Sequence, residues 1–178
     1  MNKNFTVAAY FAILSCSFAP AARAVDSASF ELGSGNGADL WRIGIQWKWD
    51  KKWLETGNWH MGGYWDAQFG QWSGSGKNTI TDFGLTPVFR FQETRPSGIS
   101  PYVEGAIGFH LIQPVRLAPD RGFSSAFQFG DHVGAGARFG EGRRYDLSLR
   151  YQHLSNGGIK KPNNGINFTQ LRLQYHLD

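Results

Sequence analysis

Apolar and polar residues alternate one by one along most of this chain. The run over residues 40–50 is the clearest example, because Trp or Ile occupies every odd position from 41 to 49. Arg, Gly, Gln and Lys occupy the even positions between them. Successive side chains of a β-strand point to opposite sides of the sheet, so this run predicts a strand with one apolar and one polar face.

The same alternation recurs in eight segments, and turn-forming stretches separate most of them. Residues 33–37, 73–76, 95–98 and 140–142 are rich in Gly, Ser, Asn or Pro, which favour chain reversals. No segment with the period of a helix lies between them. The pattern predicts one all-β domain, an eight-stranded antiparallel barrel, with strands over residues 26–33, 40–50, 58–72, 78–92, 100–111, 126–139, 144–156 and 167–177.

The chemistry of the two faces decides which one points outward. The apolar face is too large and too aromatic to fit the small cavity of a soluble barrel, which is the alternative fold. An eight-stranded barrel is just narrow enough for side chains to fill its interior. We therefore predict a transmembrane β-barrel with an apolar outer surface, tryptophan belts and an interior of paired charges. The charged residues of the polar face are Arg42, Arg90, Arg138, Arg150 and Arg172, with Asp66, Asp82, Glu104 and Asp146.

The first 24 residues have the features of a secretory signal peptide. Lys3 precedes an apolar stretch over residues 5–19, and Ala22-Arg23-Ala24 is a typical cleavage site. A lipoprotein signal ending at Cys16 fits less well. We expect residues 25–178 to form the mature barrel. Since Cys16 is the only cysteine, that barrel would contain no disulfide.

The net charge of the chain bears on one class of partner, nucleic acid. The whole chain has 18 Lys and Arg against 14 Asp and Glu, and loss of the signal would leave 16 against 14. This small excess gives no support to nucleic-acid binding.

A His and a Ser occupy the apolar face of the seventh predicted strand. His153 and Ser155 are two residues apart and so point the same way. A Ser hydroxyl becomes a good nucleophile when a base accepts its proton, and His is the usual base. Asn167 has the same parity at the start of the eighth strand, and we expect it to lie opposite Ser155. The alternative is that these are ordinary polar residues capping the strands at the barrel rim.

Basic residues are predicted near the same rim. Lys160 and Lys161 lie in the adjoining loop, and Arg116 and Arg121 lie in the loop after the fifth strand. If both termini are periplasmic, this rim lies at the outer leaflet, where the cations would suit an anionic headgroup.

Two short motifs carry a family resemblance. They are His153-Leu154-Ser155-Asn156-Gly157-Gly158-Ile159-Lys160 and Pro162-Asn163-Asn164-Gly165-Ile166. With the tryptophan-rich second and third strands, residues 101–108 and Gly134-Ala135-Gly136, they make the chain resemble the lipid A 3-O-deacylase (PagL) family. The resemblance covers the whole mature region. It implies an outer-membrane esterase that removes the 3-position acyl chain of lipid A.

The resemblance also implies roles for individual residues. Ser155 would be the nucleophile and His153 the general base, while Asn163 and Asn156 would stabilise the oxyanion. Asn167 stands where the family has Glu, the third member of its triad. An amide can orient an imidazole but offers no charge to stabilise the imidazolium.

Asp131 is a candidate substitute for the missing carboxylate. It shares the outward parity at the start of the sixth strand, and a tight turn at residues 140–142 would set it opposite Tyr151. The other interpretation is a rim carboxylate without a catalytic role.

Two further functions remain as alternatives. A non-enzymatic barrel for adhesion or membrane integrity would be expected to have long outer loops, and these loops are short. A lipid A acyltransferase would need an internal acyl pocket, against which the charged interior argues. We expect lipopolysaccharide and the outer membrane as partners, a homodimer as a further option, and no nucleic acid, metal or cofactor.

Overall fold

Eight long antiparallel strands dominate the computed structural model, which describes residues 24–74, 78–95 and 98–177. The predicted signal peptide, residues 1–24, lies outside the described residues except for Ala24. Each strand pairs with the next along the chain. The first strand also pairs with the last, so the sheet closes into the predicted eight-stranded barrel. The strands are β1 Ser27–Gly35, β2 Ala38–Lys48, β3 Trp59–Ser73, β4 Ile80–Glu93, β5 Ser100–Gln113, β6 Phe127–Phe139, β7 Tyr145–Ser155 and β8 Ile166–His176.

Short elements decorate the connections. Trp53–Thr56 extends the hairpin between β2 and β3, and Glu141–Arg143 forms a 3₁₀ turn between β6 and β7. Arg116–Ala118 pairs with Arg121–Gly122 inside the connection from β5 to β6. Within the described ranges, no helix is long and apolar enough to cross a membrane.

The apolar face of the sheet points outward and the polar face points inward, as predicted. Ile107 on β5 is 62% exposed and Leu149 on β7 is 58% exposed, although both are fully apolar. Arg42, Arg150 and Arg172 on the inner face are at most 2% exposed. A soluble domain would invert this arrangement, so the outer surface is built to contact lipid.

Ion pairs fill the barrel interior. Arg150 donates through Nε to Glu104 at 2.7 Å and through Nη1 to Glu31 at 2.8 Å. Arg90 reaches Asp146 at 2.7 Å. An unpaired buried charge is strongly destabilising, so each of these arginines needs its acidic partners inside the barrel. A polar cavity of about 280 Å³ lies beside this network at the end that carries the chain termini.

The opposite end, called the distal end below, is closed by an apolar cluster. The connection over residues 114–126 folds into the barrel mouth and buries Leu117 and Phe123 completely. Trp72 packs against Phe123 and Phe168, with ring centroids 5.9 and 5.5 Å apart. The alternation pattern predicted a plain loop here, because a segment without strand period gives no indication of burial.

Candidate active site

His153 and Asn167 face each other across β7 and β8 at the distal end. They are direct partners in the β7–β8 register. The Nδ1 atom of His153 lies 2.6 Å from Oδ1 of Asn167, which is a short hydrogen bond. An amide oxygen can only accept, so this contact requires the tautomer in which Nδ1 carries the proton and Nε2 keeps its lone pair. A general base requires the same tautomer.

The register differs by two residues from the sequence prediction. Asn167 lies opposite His153 instead of Ser155, and Asp131 also lies opposite His153 instead of Tyr151. The β6–β7 turn takes five residues, Gly140 to Arg144, because of its 3₁₀ turn. A two-residue shift leaves every side chain on the same face, so alternation alone could not distinguish the two registers.

Ser155 ends β7 on the same face as His153, and both side chains are half-buried. Its Oγ accepts a long hydrogen bond of 3.4 Å from the backbone N–H of Gly157. Among the described residues, no hydrogen bond joins Ser155 to His153. Alternate residues of a strand lie about 7 Å apart at the backbone, so a hydrogen bond between Oγ of Ser155 and Nε2 of His153 would require rotation of the side chains.

Asn156 organises the loop over residues 156–165. It is 1% exposed, and its Nδ2 donates to the carbonyl groups of Phe123 at 3.0 Å and Lys160 at 2.7 Å. Its Oδ1 accepts from the N–H of Gly158 at 3.0 Å. The side-chain amide of Asn156 is thus bonded within this loop and to its neighbouring segment, and the oxyanion role that the resemblance implies for Asn156 stays a prediction.

Asn163 is the second amide of this loop, and it is half-buried. Its Oδ1 accepts a 3.0 Å hydrogen bond from the backbone N–H of Asn156. In the part of the chain that the structure describes, its Nδ2 makes no hydrogen bond. One hydrogen bond therefore holds the amide group of Asn163 in place, while its Nδ2 can still donate to another group.

The connection over residues 114–126 supports this loop from the neighbouring side. Ser124 donates to the carbonyl of Lys160 at 2.9 Å, and Asn164 donates to that of Asp120 at 3.4 Å. Arg121 reaches the carbonyl of Gly165 at 3.5 Å. Because Phe123 anchors the supporting segment in the barrel mouth, the loop beside Ser155 rests on the core.

Gly165 makes room for the imidazole. It has a φ of 62°, and an added Cβ would lie 2.8 Å from Cε1 of His153. Both the left-handed backbone and the missing side chain are needed at this position. Gly165 enters the sequence analysis only as part of a motif. Its place just before the predicted eighth strand could have indicated that the chain turns there and needs a glycine.

An apolar groove of about 580 Å³ runs over the outer surface next to His153. The pairing of β4 with β5 is interrupted around Pro87, which has no N–H to donate. The small residues Gly105 and Ala106 line the groove, and Phe89, Ile107, Val133 and Tyr151 are among its larger lining residues. Sequence reasoning missed this groove, because it depends on neighbours from four strands.

The remaining predicted site residues lie around this centre. Asp131 is exposed, lines the groove beside His153 and makes no hydrogen bond to it. Lys160, Lys161 and Arg116 are exposed, and Arg121 is half-buried. Within the described ranges, no three His, Cys, Asp or Glu side chains are placed to hold a metal ion.

The fold and these side chains define a class of protein, a small transmembrane β-barrel that carries His153, Ser155 and Asn167 on its outer face near the distal end. The family model described as lipid A 3-O-deacylase (PagL) matches residues 39–176. A lipid A deacylase PagL of Pseudomonas aeruginosa is 33% identical over 168 residues, 92% of this chain and 93% of the relative. One from Bordetella bronchiseptica is 40% identical over 91 residues, 51% of this chain and 47% of the relative.

A crystal structure of the outer membrane enzyme PagL superimposes with a TM-score of 0.77 at 29% identity, covering 85% of this chain and 99% of the other. The chain therefore belongs to the lipid A 3-O-deacylase (PagL) family. The family resemblance, the barrel and the outer-membrane location inferred from the sequence are all confirmed.

Proposed function

We propose that this protein hydrolyses the 3-O-linked acyl ester of lipid A, with Ser155 as nucleophile, His153 as general base and Asn167 as the residue that orients the base. The 2.6 Å contact between His153 and Asn167 beside an apolar outer groove is the observation that carries this proposal. Family membership supports the reaction and the substrate.

In the first step the Ser155 hydroxyl attacks the ester carbonyl carbon, and its proton passes to Nε2 of His153. Negative charge then develops on the former carbonyl oxygen. The Nδ2 group of Asn163, which makes no hydrogen bond among the described residues, would donate to that oxygen. Collapse of the intermediate expels the 3-hydroxyl of the sugar, which takes the proton from His153. Water then hydrolyses the acyl-enzyme by the reverse proton path.

The groove supports the proposal from the substrate side. An acyl chain gains little hydrophobic energy by moving from lipid onto a protein surface, since both are apolar. The groove would instead hold the chain in one orientation, so that its ester reaches Ser155. Because the groove opens sideways on the barrel wall, the substrate would enter from the membrane plane.

The basic residues near the site fit the other end of the same substrate. Lys160, Lys161 and Arg116 are exposed at the distal end, and Arg121 lies beside Gly165. We assign this end to the outer leaflet, where anionic headgroups would meet these cations. The same placement puts both termini on the periplasmic side.

The test is mass spectrometry of lipid A after incubation with the purified, refolded barrel. We expect loss of one 3-hydroxy acyl chain with the unmodified protein. Ser155→Ala and His153→Ala should each lower the rate by about 10⁴ or more. Thr169→Ala is a matched control, because Thr169 is exposed on β8 at the same rim. All variants should keep heat-modifiable gel migration, and substantial acyl release by the Ser155 variant would refute the mechanism.

A further inference from the structure

The turn between β1 and β2 reaches the site from the far side of β8. Asn36 and Gly37 are its two central residues, with φ of 48° and 73°. Positive φ at both positions is the geometry of a type I′ turn, which favours Asn-Gly. Turn formation alone would therefore explain the residue types at both positions. It does not explain where the Asn36 side chain points.

The Asn36 side chain binds the residue that contacts His153. Its Oδ1 accepts a 2.7 Å hydrogen bond from the backbone N–H of Asn167. The β1–β8 ladder ends at the pair Ser34–Thr169, since β1 then turns away into its hairpin. Continued by two residues, the same register would set Asn36 opposite Asn167. There the side chain of Asn36, instead of a backbone carbonyl of β1, accepts the hydrogen bond from the N–H of Asn167.

Gly35 brings the turn close enough for this contact. An added Cβ at Gly35 would overlap the backbone carbonyl of Asn167. The first hairpin therefore touches Asn167 at both its N–H and its carbonyl. Asn167 needs such support, because it is only the second residue of β8 and follows directly on the loop over residues 156–165.

We propose that Asn36 is a positioning residue for the catalytic base. It holds the backbone of Asn167, whose side-chain oxygen in turn holds Nδ1 of His153. The inference rests on the proposed role of His153 as general base. It assigns to the first hairpin a part in catalysis, although no residue of that hairpin needs to touch the substrate.

Two substitutions separate positioning from turn formation. Asn36→Gly removes the acceptor but suits the positive φ, so the turn should form normally. Asn36→Asp keeps both an acceptor oxygen and tolerance of positive φ. We expect Asn36→Gly to lower kcat about five- to tenfold with KM unchanged, and Asn36→Asp to restore most of the rate. Asn58→Gly is a control in a turn at the opposite end of the barrel and should leave kcat unchanged.

A double-mutant cycle tests the path through Asn167. In an Asn167→Ala background the His153 contact is already gone, so Asn36→Gly should have little further effect. An equal, additive loss in both backgrounds would overturn the proposal. So would an unchanged kcat for Asn36→Gly in the otherwise unmodified protein.

Proton NMR of histidine-labelled protein gives a readout that does not depend on activity. The short bond to Asn167 should shift the Nδ1 proton of His153 downfield, and the signal is identified by its loss in His153→Ala. Asn36→Gly should move or broaden that signal. An unmoved signal would overturn the positioning role by itself. Activity retained by Ser155→Ala together with a moved signal would instead overturn the proposed function, while the structural link from Asn36 to His153 would stand.

Discussion

Replacing Asn167 by Asp should raise the catalytic rate of this enzyme. The substitution exchanges an amide NH₂ for a carboxylate oxygen and leaves the side-chain length unchanged. Because Oδ1 already lies 2.6 Å from Nδ1 of His153, the carboxylate can accept the same hydrogen bond without movement of either strand. Asp also lacks the flipped amide orientation, in which the NH₂ group would donate to Nδ1 and favour the tautomer with the proton on Nε2.

The size of the gain follows from the charge that the amide lacks. In the transition state His153 is an imidazolium, and the centre of the new carboxylate would lie roughly 4 Å from it. At that distance the attraction is about 1 kcal/mol in water and about 4 kcal/mol at an effective dielectric constant of 20. Both side chains are half-buried, so an intermediate value applies and kcat should rise about 10- to 100-fold. The loss of about 10⁴ when a protease triad Asp becomes Asn is the upper bound.

The assay is steady-state release of the 3-hydroxy fatty acid in detergent, with kcat and KM determined separately. The gain should appear in kcat alone, because the charge acts on His153 after substrate has bound. Thr169→Asp adds a carboxylate two residues away on the same face and should give no gain. If Asn167→Asp is no faster than the unmodified protein while Asn167→Ala is equally active, the contact with His153 does not serve catalysis.

Two other substitutions follow from the site geometry. Asp131→Asn should change the rate by less than about twofold, because Asp131 makes no hydrogen bond to His153 and solvent screens the charge of its exposed carboxylate. A severe loss in the same acyl-release assay would make Asp131 the orienting acid. Gly165→Ala should lower kcat about 100-fold, since the new Cβ would push against the imidazole and the left-handed backbone adds about 1 kcal/mol of strain. Heat-modifiable migration of Gly165→Ala should persist, and full activity would show that the ring has room to move.

The strands and their faces could be predicted because the lipid and the interior impose opposite requirements on neighbouring residues. The Trp and Ile positions of β2 are outward, and Arg42 between them is buried among acids. The same periodicity could not determine the register at His153, because a shift by two residues preserves every face. The register between β6 and β7 depends instead on the length of the turn that joins them, which includes the 3₁₀ turn before β7.

The parts of the site that sequence reasoning missed all depend on contacts between distant segments. Phe123 lies in a stretch without periodicity, yet it is fully buried and anchors the segment that supports the site loop. Asn36 looked like an ordinary turn residue, because its Asn-Gly pair already had a sufficient local explanation. The resemblance to a family favoured catalytic roles for Ser155 and His153, because alternation alone left two interpretations open, a nucleophile with its base or ordinary rim residues.

The filled interior has a consequence for the cell that makes this protein. Among the described residues, ion pairs occupy the lumen between the cavity at one end and the cluster around Trp72 and Phe123 that closes the other. A water-filled barrel would admit small solutes, including toxic ones, in proportion to its copy number. This barrel can be abundant in the outer membrane without weakening the permeability barrier, so an enzyme that remodels the barrier's own lipid adds no leak to it.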